Sequence, residues 1–134
     1  MENKYFIPDI EDFHIGYECE FKNNMQDNVW KKEICDMDLV SIAFSSWEHE
    51  DTDDKFSDNF RVSYLTKEQI EAEGWTKEKS YFIKNNIYLF FEDKFLVIDS
   101  GNPFSWEAID SEILFKGKCK DINTFRKICK LLEI

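Results

Sequence analysis

Apolar and polar residues alternate most cleanly from Phe13 to Lys22, where Phe13, Ile15, Tyr17, Cys19 and Phe21 interleave with His14, Gly16, Glu18, Glu20 and Lys22. A period of about two residues predicts an antiparallel strand with one buried and one wet face. Before it, Tyr5 to Ile10 contains Pro8 and reads as an extended lead-in. After it, the polar run Asn23 to Asn28 predicts a turn, and Val29 to Cys35 a second strand pairing back on the first. Asp36 or Asp38 then stands where a helix cap or a strand end belongs. Met37, Leu39, Val40, Ile42, Ala43 and Phe44 form an apolar run that fits a short helix or an extended core segment. Ser45 to Asp58 holds six acids and one lysine with no glycine, and predicts an exposed loop.

Start and stop signals are densest from Ser63 to Ser100, the platform of the chain. Asn59 to Leu65 predicts a strand, and Thr66 and Gln69 stand three apart as in a capping box, with Gly74 as the stop of the short helix between them. Ser80 to Lys84 predicts another strand, with Asn85 and Asn86 turning the chain into Ile87 to Phe91. That run pairs with Phe95 to Ile98 across Glu92, Asp93 and Lys94 as a hairpin. Gly101, Asn102 and Pro103 break the pattern, and Glu112 to Lys118 predicts a last strand. Asp121 or Asn123 can cap a helix through Leu132 whose apolar stripe is Ile122, Phe125, Ile128, Cys129, Leu131 and Leu132. The expected architecture is a single α+β domain over residues 1–134. It has a mainly antiparallel sheet of about five to six strands, a short central helix, and a C-terminal helix packed on the sheet.

Composition sharpens this in two ways. With 13 Phe, 5 Tyr and 4 Trp in 134 residues, the core should be rich in rings, while 4 Gly and 2 Pro argue against a phosphate loop or a Pro-rich linker. The net charge of −11 is also one-sided: residues 1 to 60 hold 16 acids against five lysines, and the remainder is balanced. An acidic half disfavours direct nucleic-acid binding, which needs a cationic face, and points instead to a basic partner. No apolar run approaches membrane-spanning length, and Met1 to Lys4 leads into no export segment, so the expectation is a cytoplasmic protein with reduced Cys19, Cys35, Cys119 and Cys129.

Candidate chemistry adds little. Only His14 and His49 are available as imidazole bases, both in polar contexts and neither in a nucleophile motif. An EF-hand register started at Asp51 fails, with Lys55, Phe56 and Val62 where ligands or glycine belong. The four cysteines show no zinc spacing. The expectation is therefore no catalytic residue, no metal and no cofactor. Glu18 and Glu20 share a strand face, which is costly unless each meets a cation or solvent. Trp47, Phe56 and Phe60 flank the acid run in the manner of interface anchors ringed by charge, and core packing accounts for them equally well.

The stretches Tyr5 to Glu20, Tyr64 to Ile70 with Gly74 and Trp75, and Asn123 to Leu132 resemble a group of small uncharacterised acidic proteins carried by phages and mobile elements of Bacteroidetes. The resemblance implies an anti-defence role, with anti-CRISPR proteins as a prominent kind and a Cas13-type nuclease as a conceivable target. A nuclease presents a cationic groove that an acidic domain can occupy. The resulting expectation is a non-enzymatic inhibitor that binds a basic host protein in the host cytoplasm. Its partner-facing residues would be Trp47, Glu48, Glu50, Asp51, Asp53, Asp54, Phe56 and Asp58, with Glu18 and Glu20. The alternative is a phage structural or assembly protein, or another interaction module without inhibitory activity.

Overall fold

The computed structural model describes residues 4–23, 28–48, 56–101 and 112–134. The chain gathers into two compact units, Met1–Tyr64 and Leu65–Ile134, each with its own antiparallel sheet and its own hydrophobic cluster. The α+β class is as the sequence predicts. The strands, however, divide between a four-stranded and a five-stranded sheet, where one sheet of five to six was expected.

In the first unit the strands are β1 (Tyr5–Phe6), β2 (Glu18–Lys22), β3 (Trp30–Ile34) and β4 (Phe60–Ser63), in the order β1-β4-β2-β3. The predicted pairing of the first two long strands holds, from Glu18 opposite Ile34 to Lys22 opposite Trp30. β2 is shorter than its alternation implied. Ile10–Asp12 is a 3-10 turn capped by Asp9, whose carboxylate accepts from Glu11 N–H, and Gly16 turns at φ +94°. Phe13 and Tyr17 keep their inward phase while Ile15, at the turn, is exposed. The core is ring on ring. Phe13 meets Phe56 and Phe60 edge-on, Phe56 stacks on Phe60 at 5.1 Å, and Phe21 closes on Phe60 at 4.9 Å. Offset and edge contacts of this kind add to what area burial alone contributes.

The apolar run after Cys35 resolves as a helix, α1 (Met37–Glu48). Asp36 starts it: its carboxylate accepts from Leu39 N–H at 2.8 Å and its carbonyl from Val40 N–H, as a cap requires. The helix runs on through Ser45 to Glu48, so the expected loop begins later than the sequence pattern implied. A second short helix, α2 (Phe56–Asn59), leads directly into β4.

The second unit follows the sequence signals closely. Thr66 and Gln69 form the capping box of α3 (Lys67–Ala72): Gln69 N–H donates to Thr66 Oγ1 at 3.1 Å, and Thr66 N–H donates to Gln69 Oε1 at 3.0 Å. Gly74 ends that turn at φ +99°. The sheet runs in sequence order as β5 (Thr76–Lys77), β6 (Phe82–Lys84), β7 (Ile87–Glu92), β8 (Phe95–Asp99) and β9 (Ile113–Lys118). Two-residue turns join its central strands, Asn85-Asn86 and Asp93-Lys94, all four residues at positive φ. That geometry matches the right-handed twist of the flanking strands. Helix α4 (Ile122–Leu131) takes Asp121 as its cap, which accepts from Thr124 N–H, and shares a core with Leu89, Leu96 and Ile98 through Ile122, Phe125 and Ile128. Leu131, assigned to the apolar stripe, is instead exposed at the last turn. Among the described residues no helix is long and apolar enough to cross a membrane.

Candidate partner-binding surface

The expected partner-facing residues fall into three groups. Trp47 and Glu48 end α1 and are exposed, Trp47 at 49%. Asp58, on α2, is exposed as well. Glu50, Asp51, Asp53 and Asp54 lie outside the described residues, as does His49. Helix α1 has no basic residue in its last turn. Its C-terminal carbonyls carry the negative end of the helix dipole, so Glu48 stands where a carboxylate is least favourable.

Phe56 is a correction. It is 2% exposed and wedged between Phe13 and Phe60, so it belongs to the core and has no surface to offer a partner. The reason is α2: one helical turn before β4 directs Phe56 and Asn59 inward and leaves Asp58 outside. Asn59 fastens this turn to the sheet by donating to the Lys22 carbonyl at 2.7 Å.

Glu18 and Glu20 are also corrected, by what surrounds them. Glu18 is 6% exposed and sits 3.5 Å from Lys32 Nζ on the neighbouring strand. Glu20 lies opposite Arg61, whose Nε and Nη2 both donate to its Oε1, at 3.2 and 2.9 Å. The Arg61 guanidinium is layered over Tyr5 at 3.7 Å and over Trp30 at 4.2 Å. A planar cation held between two rings and paired to a carboxylate is a structural device of the sheet, and it removes the like-charge cost of two acids on one face. Neither acid presents free charge.

Two of the thiols, Cys119 and Cys129, are held in the protonated form, which is the poor nucleophile. Burial pushes Cys119 up to about 12 and Cys129 up to about 11. Cys19 and Cys35 lie with their sulfurs 3.9 Å apart inside the first unit, both free. The hydrogen bond they share acts oppositely on the two, raising Cys19 and lowering Cys35, and burial raises both. His14 is exposed, its Nδ1–H donating to the Asp12 carbonyl at 2.8 Å. Among the described residues no group of three or more His, Cys, Asp or Glu is arranged to hold a metal ion.

What the sequence pattern missed is the outward half of α1. Met37, Ile42 and Phe44 were read with the core run, yet all three are exposed, as is Trp47. Once the segment is taken as helical, Leu39, Val40 and Ala43 go to the core cluster while Met37, Phe44 and Trp47 stay exposed along one side.

Comparison with protein families, with curated proteins and with solved structures finds no match to this chain.

Proposed function

We propose that this chain is a non-enzymatic binding protein that engages a basic protein partner through the acidic, aromatic-edged end of α1 and the residues that follow it. The observation that carries the reading is Trp47, half-exposed beside Glu48 on a helix end without a neutralising base, in a chain whose whole net charge lies in its first 60 residues. Exposed aromatic rings next to desolvatable charge are what protein interfaces use for affinity, and one-signed charge speeds encounter with a partner of opposite sign. The acids of this surface are Glu48, Glu50, Asp51, Asp53, Asp54 and Asp58. With the resemblance to phage and mobile-element proteins, the finer form of the proposal is inhibition of a host defence nuclease by contact with its cationic groove.

The test replaces Glu48, Asp51, Asp53 and Asp54 together by lysine and compares the proteins captured from a Bacteroidetes host lysate at low and moderate salt. Basic proteins held by the native chain should be lost from the variant by about tenfold or more, with far-UV circular dichroism unchanged. Equal capture by both proteins would remove this surface from the proposal.

A further inference from the structure

Helix α1 is apolar on two sides. Leu39 and Ala43 form the inward stripe, Ala43 being fully buried in the cluster that contains Phe13, Phe56 and Phe60. Met37, Phe44 and Trp47 form a second, exposed stripe; with Val40, which packs against the core cluster beneath them, they fall at successive spacings of three, four and three residues, the repeat that lines up side chains along one helix face. Val40 is partly buried, while Met37 is 67% and Phe44 43% exposed. A surface helix with only one face to bury carries polar residues on its flank, so large apolar side chains exposed there mark a contact that the described residues do not make.

The charges around this stripe select its occupant. Asp36 and Asp38 stand at one end and Glu48 at the other, and residues 36–48 include no lysine or arginine. A second copy of the chain would bring these same acids against themselves in either orientation, with no base on the helix to meet them. The stripe spans about three helical turns, or about 15 Å, a length that suits another helix lying along it. We infer that the outward stripe of α1 is the docking site for a cationic amphipathic helix of another protein. The apolar face of that helix covers Met37, Phe44 and Trp47, and its lysines or arginines meet Asp36, Asp38 and Glu48. An antiparallel approach also sets its positive N-terminal end beside the negative end of α1. This rests on the basic-partner reading above and adds the form of the segment that is recognised.

The experiment uses the full chain and three fluorescein-labelled synthetic peptides of about 18 residues, long enough to cover the stripe. The first has leucines at the same three-four-three spacing on a lysine background, the second is the same composition scrambled, and the third replaces lysine by glutamate. Fluorescence anisotropy should show the periodic lysine peptide binding about tenfold or more tightly than the scrambled one, and no binding of the glutamate peptide. Phe44→Ser should weaken the periodic peptide by about tenfold with circular dichroism unchanged. Met37→Ser, at the exposed first turn, gives the same readout if Phe44→Ser disturbs folding. Equal binding of periodic and scrambled lysine peptides would overturn the helix-docking inference while leaving the acidic-surface reading in place. Failure of both lysine peptides to bind would remove both. Elution of the free chain as a dimer that Phe44→Ser dissociates would make a second copy the occupant, and the inference would be wrong.

Discussion

At the scale of single residues, environment decides what a side-chain type is for. Glu20 and Glu48 are the same residue type, yet Glu20 is held by a guanidinium layered on two rings and Glu48 stands exposed in a last helical turn that contains no base. Phe56 and Trp47 both flank the acid run, but one is stacked in the core and the other half-exposed. Buried thiols give a measurable signature of the same principle. The Cys119 pKa rises from 9.0 to about 12 because burial disfavours the thiolate. Its protonated form therefore stabilises the fold fully below pH 9.0, and that contribution is lost as pH rises toward about 12. Urea midpoints should fall between about pH 9 and pH 11, and Cys119→Ala should flatten that fall even if it lowers stability at neutral pH. An unchanged slope in the variant would show that Cys119 is not the titrating group.

At the scale of elements, local signals were legible where the chain's own hydrogen bonds enforce them. The Thr66–Gln69 box closes at both bonds, Asp121 rather than Asn123 caps α4, and the two-residue turns at Asn85-Asn86 and Asp93-Lys94 set the register of three strands. Thr66→Ala removes the acceptor for Gln69 N–H and should cost about 1 kcal/mol, read as a lower denaturation midpoint with an unchanged slope. Thr66→Ser, which keeps the hydroxyl, should recover most of that loss. Elements stay open in the sequence where two periods fit one run. Met37 to Phe44 is apolar enough for a strand or a buried helix, and only the helix, once formed from the Asp36 cap, separates Ala43 inside from Phe44 outside. Ile15 failed for the related reason that a glycine turn interrupts an otherwise regular alternation.

At the scale of the whole molecule, charge is concentrated where the ring-rich cluster is. The first unit is built on Phe13, Phe56, Phe60 and Tyr17, and it contains residues 1–60, which together carry the whole net charge of −11. Like charges in one compact body repel, and mobile ions screen that repulsion over about 10 Å at 0.1 M salt. The thermal midpoint should therefore rise on going from about 10 mM to about 200 mM sodium chloride. A flat or falling midpoint would mean that favourable pairs such as Glu20–Arg61 outweigh the excess of acid. The same screening should weaken association with a basic partner, so stability and binding are expected to respond to salt in opposite directions.

The sequence by itself determined the Thr66–Gln69 cap, the β2–β3 pairing and the β7–β8 hairpin, because those depend on neighbours close along the chain, and it determined the lopsided charge, which needs no fold at all. It could not divide the strands between two sheets, because pairing partners such as β1 with β4, or Glu20 with Arg61, lie some forty to sixty positions apart along the chain. Only tertiary packing decided which acids are neutralised and which aromatic residues are covered. Burial and pairing are properties of the neighbours that folding brings in. The outward face of α1 was therefore present in the spacing of Met37, Phe44 and Trp47 but became a surface only when Ala43, with Leu39 and Val40, turned to the core.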